Sequence, residues 1–406
     1  MNIITEKTVF GGNSIGKING KTVFVPFSMP GEELEINIIE SKRDYDTAEI
    51  VKILKPSGFR TEPLCSYYYK CGGCNMMHIQ PDYQRELKKN MLCDIFAQQK
   101  INLEGKIKVV SGPNFNYRSR FQLNDGGLSE RASNNIIRVK NCLCAETPVN
   151  EYLEQISETS VEKGRIHLFG SCFLEDATLN ESKIYVSGSK TVEKNRLLGN
   201  KSKQFKRKEN HYFAGTVEQS EYVATVCLGG KKISFDVRGF FQSNLFVFEK
   251  TVNLIMSTLP QGKLALDMYS GCGSISVFLA DKFEKTVLVE HNRDAVVFAE
   301  KNLAGKNHQS FGLSGAAWVK NCSDSCGRFD ACVVDPPRSG MEKEVCDYLC
   351  RSKIPYLRSL SCDPATHARD VAALVHAGYV LKDFYLLDFY PHTSHIESLA
   401  VLDYEA

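Results

Sequence analysis

Lys263-Leu264-Ala265-Leu266 runs directly into Asp267-Met268-Tyr269-Ser270-Gly271-Cys272-Gly273-Ser274-Ile275. A short buried run that ends in a glycine turn and opens a helical pattern is the signature of a ligand-binding α/β fold. Two more runs, Thr286-Val287-Leu288-Val289 and Ala331-Cys332-Val333-Val334, end in polar or glycine-bearing turns and read as buried parallel strands, with Ala295 to Ala299 and Leu303 fitting a helix between them. Residues 239–406 are therefore expected to form a doubly wound sheet with its ligand at the carboxyl edge. Two close glycines let backbone approach that ligand, and Glu290, ending the next strand, can accept hydrogen bonds from ribose hydroxyls. A dinucleotide would need a third glycine and room for a pyrophosphate. The carboxylate of Asp267 suits a sulfonium or an amino-acid ammonium instead, so S-adenosylmethionine is favoured over NAD.

Upstream the pattern changes twice. Residues 1–57 hold short alternating runs, Thr22 to Pro26, Leu34 to Ile38 and Thr47 to Val51, separated by the turn signals Gly11-Gly12, Asn19-Gly20 and Pro30-Gly31. They predict a small β-barrel of the OB type, a fold often used to hold RNA. Residues 58–238 are irregular and polar, and open with Cys65, Cys71 and Cys74, close enough to wrap one metal centre. A fourth ligand must come from elsewhere, Cys142 or Cys144 being the nearest pair outside a helical pattern, and spacing alone suits zinc or an iron–sulfur cluster equally. A structural role, holding an irregular segment together, is the simplest reading of such a centre. Further on, Lys201-Ser202-Lys203-Gln204-Phe205-Lys206-Arg207-Lys208 offers cations for phosphates and a ring for a base, although a solvated loop accounts for the run as well.

The chain of 406 residues has a formal net charge of +2, so a basic footprint for nucleic acid must be local. No apolar run is long enough to span a membrane, and the first residues lack the pattern of a signal peptide. A cytoplasmic monomer is expected, with no membrane or DNA partner, and its fifteen cysteines then point to metal ligation and catalysis rather than disulfides.

Three further motifs complete the reading: Asp335-Pro336-Pro337-Arg338, Ser361-Cys362-Asp363-Pro364, and Pro391-His392-Thr393-Ser394-His395-Ile396-Glu397. Together with the cysteine loop and His78, Tyr117-Arg118, Phe240-Phe241-Gln242-Ser243-Asn244 and the Asp267 turn, they resemble, in order and nearly end to end, the S-adenosylmethionine-dependent RNA uracil-5-methyltransferases, particularly the iron–sulfur members that act on 23S ribosomal RNA. The resemblance implies a TRAM-like barrel, a central iron–sulfur domain and a class I methyltransferase sheet. It implies a [4Fe–4S] cluster on Cys65, Cys71, Cys74 and Cys142, S-adenosylmethionine held by Gln242, Tyr269, Glu290 and Asp335, a nucleophile in Cys362 and a base in Glu397. The chain departs from the family pattern at Asp363, His392 and Ser270, where Asn, Gln and Cys are usual. A carboxylate close to Cys362 would oppose thiolate formation, so the Asp363 side chain is expected to point away.

The chemistry explains the residue types. C5 of uracil is too weak a nucleophile to attack a methyl sulfonium until a thiolate adds at C6, and a carboxylate can later remove the C5 proton. The thiol must meet the ring face, so the nucleotide has to leave its stack. Transfer RNA would satisfy the same residues, and a catalytically silent RNA-binding protein could keep the barrel and cluster.

Overall fold

The Lys263–Leu266 run lies in the strand Gly262–Met268, the third strand of an eight-stranded mixed sheet. The order across the sheet is His308–Phe311, Phe283–Val289, Gly262–Met268, Ala331–Val334, Tyr356–Ser361, Glu397–Tyr404, Tyr379–Leu387, Ile107–Val110. The structure, a computed structural model, describes residues 1–157, 164–175, 185–190, 209–214 and 223–405. Its chain forms two compact units: Met1–Tyr69, Gly73–Asn114 and Phe246–Ala406 make the first, and Lys70–Gly72 with Phe115–Leu245 the second. This division runs across the three sequence segments.

In the first unit five strands pair in parallel around Gly262–Met268. Ala331–Val334 is buried at every position, as a strand covered on both faces should be. The sheet is not wholly parallel. Glu397–Tyr404 inserts antiparallel between Tyr356–Ser361 and Tyr379–Leu387. Ile107–Val110 adds a parallel edge strand from far upstream, which periodicity did not reveal because only four residues form it. The helix Pro81–Gln98 buries Leu87, Met91, Leu92 and Phe96 in the same core as Leu266, Val287 and Leu402. Burying each such side chain contributes about 1.5–3 kcal/mol.

The N-terminal strands form a six-stranded sheet ordered Asn2–Ile4, Glu33–Ser41, Tyr45–Lys55, Lys21–Val25, Ser14–Ile18, Lys7–Thr8. Its alternating inner residues Val23, Val25, Leu34, Ile36 and Ala48 make a small core of their own. Asn19 and Gly20 both take positive φ, 51° and 83°, which a two-residue hairpin requires.

The second unit pairs Arg120–Asn124, Arg165–Phe169, Tyr185–Lys190 and Glu209–Ala214 in an antiparallel sheet, with the helix Thr147–Ser157 and the hairpin Val223–Leu228/Lys231–Asp236. Phe121, Leu123, Val149, Leu153 and Leu168 fill its core. The basic run 201–208 lies outside the described residues. Among the described residues, no helix is long and apolar enough to cross a membrane.

Candidate active site

Cys362 follows the last residue of Tyr356–Ser361, and Glu397 opens the neighbouring antiparallel strand. The pairing Ser361↔Ser398 fixes the register, so the next step outward sets Cys362 opposite Glu397 at the carboxyl edge of the sheet. Asp335 leaves the adjacent parallel strand at the same edge. The inserted antiparallel strand is thus what brings a residue 35 positions downstream of the thiol to face it.

These groups act on one another. Burial pushes the Cys362 thiol up to about 11, and the charges of Glu397 and Asp335 push the same way, while the Arg338 guanidinium opposes them. Burial likewise raises the Glu397 carboxyl to about 8, with Asp335 adding and Arg338 subtracting. Asp335 itself is raised to about 6 by burial. Arg338 is therefore a cation that favours both the Cys362 thiolate and the Glu397 carboxylate.

The loop bearing Asp335 and Arg338 is held by the helix Pro364–His376, which starts just after Cys362. The Thr366 hydroxyl donates to the Arg338 carbonyl at 3.2 Å, and the Met341 amide donates to the Asp370 carboxylate at 2.8 Å. Gly340, at φ +78°, has no room for a side chain: a Cβ would lie 2.7 Å from Asp370 Oδ2 and 2.9 Å from Thr366 Cβ. The carboxylate of Asp363 accepts the amides of Ala365 and Thr366 at 3.0 and 2.9 Å, capping this helix. It faces the helix, as the sequence led us to expect, and Pro364 occupies the first turn where its missing N–H costs nothing.

The glycine turn is built next to this cluster. The amides of Tyr269 and Ser270 donate to the Val289 carbonyl at 2.9 and 3.1 Å, and Glu290 accepts the Gly271 amide at 3.0 Å. Tyr269 holds φ +66°, a left-handed conformation uncommon for a bulky residue. Its hydroxyl accepts the Glu342 amide at 3.1 Å, linking the turn to the loop after Asp335. Around Gly271 a Cβ would meet nothing within 4 Å, so the turn faces open space, and the buried Ser270 hydroxyl has no hydrogen-bond partner there. Asp267 is fully buried against the Ser276 hydroxyl, and burial followed by the charges of Asp335 and Glu290 raises it to about 7. Three mutually repelling carboxylates around an open glycine turn favour a cationic ligand and disfavour a pyrophosphate. These features fit S-adenosylmethionine.

The second unit carries Gln242. Its segment Phe240–Asn244 pairs with Arg118, and Ser119 donates through its amide and its hydroxyl to the Ser243 carbonyl at 2.8 and 3.1 Å. That pairing explains why Tyr117-Arg118 and Phe240-Phe241-Gln242-Ser243-Asn244 occur in one chain. Gln242 is buried, with no hydrogen-bond partner at Oε1.

The iron–sulfur expectation finds no such support. Among the described residues, no group of three or more His, Cys, Asp or Glu side chains is arranged to hold a metal ion. Cys142 hydrogen-bonds with Cys144, and that contact followed by burial raises its thiol well above the ordinary range.

Comparison with known proteins gives the family. The family descriptions "tRNA (Uracil-5-)-methyltransferase", "TRAM domain" and "Methyltransferase small domain" match residues 323–404, 3–51 and 243–354. An "Uncharacterized RNA methyltransferase" of Treponema denticola is 34% identical over 98% of this chain and 97% of its own. The chain belongs to the RNA uracil-5-methyltransferase family. A family member from Histophilus somni, the "23S rRNA (uracil(1939)-C(5))-methyltransferase RlmD", is 28% identical over 98% of this chain and 95% of its own. The solved tRNA (uracil-54, C5)-methyltransferase of Pyrococcus abyssi, in complex with S-adenosyl-L-homocysteine, shares the fold with a TM-score of 0.75 at 23% identity, covering 99% of this chain and 100% of that one. Within the family fold, residue reasoning from motifs missed Thr366, Asp370, Ser276 and Glu342. Thr366, Asp370 and Glu342 act through contacts 28, 29 and 73 residues away, so no local signal marked them.

Proposed function

We propose that this protein methylates C5 of a uridine in RNA, with S-adenosylmethionine as donor, through a covalent adduct between Cys362 and C6 of the base. The single observation that carries the reading is the register step that faces a thiol with a carboxyl at the edge beside the cofactor turn. S-adenosylmethionine supplies an electrophilic methyl group on a sulfonium. Tyr269, Glu290 and Asp335 would hold it at the turn, and the family resemblance alone adds Gln242 as a further contact.

The Cys362 thiolate forms a bond to C6, and the ring electrons move to the C4 oxygen, so that C5 becomes nucleophilic. C5 then takes the methyl group as the sulfonium carbon–sulfur bond breaks toward sulfur. Glu397 removes the C5 proton, the C5–C6 double bond re-forms, and the C6–sulfur bond breaks to return the thiolate. Arg338 favours both anions this sequence needs. Ribosomal RNA is the preferred substrate, because relatives named for 23S rRNA align with nearly the whole chain. Transfer RNA is the second reading, favoured by the family description matching residues 323–404.

The [4Fe–4S] cluster is likewise a proposal. It is supported by the Cys65, Cys71, Cys74 spacing and by the family resemblance, and no step of the reaction passes through it.

Cys362→Ala should lower methyl transfer by at least about a thousandfold while cofactor binding persists. RNA carrying 5-fluorouridine should form a stable adduct with the native enzyme, since fluorine at C5 cannot leave as a proton, and none with the variant. Full activity of Cys362→Ala would end the covalent reading. Mapping 5-methyluridine in ribosomal and transfer RNA from cells lacking the protein decides between the two substrates.

A further inference from the structure

The segment between Leu387 and Glu397 has no regular structure, yet it must set the position of the candidate base. His392 within it takes φ +65°, a left-handed conformation that a non-glycine residue holds only when its surroundings enforce it. Part of that enforcement comes from the residue that follows Cys74. The amides of Asn75 and Met76 donate to the His392 carbonyl at 3.1 and 2.9 Å. The Asn75 side chain then grips Ser394 twice: Oδ1 accepts the Ser394 amide at 2.8 Å, and Nδ2 donates to the Ser394 hydroxyl at 3.0 Å. The same Nδ2 donates to the Gly11 carbonyl in the turn between two N-terminal strands, at 2.9 Å.

Only a side chain with a donor and an acceptor on one planar head can make this set. The N-terminal turn presses close to it. Gly12, at φ +86°, would place a Cβ 2.7 Å from Asn75 Nδ2 and 2.9 Å from Ser394 Cβ. Ile396, between this grip and Glu397, is buried and fixed in the core that also holds Met76 and Ile79. A shift at Ser394 is thus passed along a short, packed stretch to the Glu397 carboxyl.

We propose that Asn75 is a positioning residue for proton abstraction, holding the Glu397 loop against the cysteine segment and the N-terminal turn. The inference rests on Glu397 being the base. Thiol addition and methyl transfer use Cys362 and the Asp335 loop, while the hydrogen bonds of Asn75 go to Gly11, His392 and Ser394. Loss of the grip therefore slows release without slowing the earlier steps, a signature that general destabilisation does not give.

The test follows single turnovers of the full-length enzyme on ribosomal or transfer RNA lacking 5-methyluridine, with labelled S-adenosylmethionine and denaturing gels that retain a covalent protein–RNA adduct. Asn75→Ala should form adduct within about twofold of the native rate and release it at least about tenfold more slowly, because a misplacement near 1 Å costs up to ~100-fold. Gly12→Ala should give the same pattern from a different segment. Ser394→Ala, which keeps the amide bond to Asn75, supplies a milder variant should Asn75→Ala not fold. Release at the native rate from these variants, or equal slowing of addition and release, overturns the proposal. Glu397→Gln is the parallel arm: if it traps adduct while Asn75→Ala does not, the positioning role alone is wrong. If Glu397→Gln releases adduct normally, the base assignment falls and takes this inference with it.

Discussion

Asp363 stands beside the candidate nucleophile, yet its carboxylate caps the helix Pro364–His376 through two amides. Asp363→Ala should therefore cost about 1 kcal/mol of stability through the lost cap, and leave Cys362 as reactive toward 5-fluorouridine RNA as before. Chemical denaturation and adduct yield check the two halves separately. The charges that do raise the thiol, Glu397 and Asp335, arrive from other strands. Glu397, raised to about 8 by burial and then Asp335, is largely protonated at pH 7, and its basic form grows as pH rises through that value. Single-turnover release of RNA from its covalent adduct should accordingly climb between about pH 6.5 and 9, and a flat release profile would refute Glu397 as the base. The same shift has a stability consequence. A carboxyl whose folded value lies above its unfolded one stabilises the fold below the ordinary carboxyl range and loses that contribution as pH rises through about 8. Glu397→Gln should thus gain melting temperature relative to the native protein on going from pH 6 to pH 9.

At the scale of elements, the helix Pro81–Gln98 does more than fill the core. Its Lys88 and Arg85 reach Asp388 at 2.8 and 2.9 Å, and Gln84 accepts the His392 amide at 2.8 Å, so one helix face fixes the start of the Glu397 loop. Burial alone would raise Asp388, but the Lys88 charge and then Arg85 hold it below the ordinary carboxylate range. That contribution is complete at neutral pH and is lost as acid brings the pH down through the lowered value. Lys88→Met should leave a buried carboxylate with one cation fewer, at a cost of about 3 kcal/mol measured by denaturant unfolding at pH 7. The run Tyr83 to Leu92 carries a helical pattern of its own, so this helix is readable in the sequence. Its partner loop is not, since Asp388 lies 300 residues from Lys88 and neither residue signals the other.

Across the whole molecule, the iron–sulfur proposal has the most direct test. Protein purified without oxygen should be brown, and iron analysis should give about four atoms per chain, as one such cluster on four thiolates requires; a colourless protein holding zinc would overturn it. What the sequence by itself determined is the set of local patterns. The strand-to-glycine turn at Asp267, the alternating N-terminal runs and the ordered motifs around Asp335, Cys362 and Glu397 were all readable, because side-chain periodicity and turn chemistry are properties of neighbouring residues. Only the tertiary structure decided which of those residues meet. The antiparallel insertion of Glu397–Tyr404 sets Glu397 against Cys362, and Asp370, Gln84 and Asn75 reach loops far along the chain. Such pairings depend on strand register and on the filling of one shared core, quantities that no window of sequence contains.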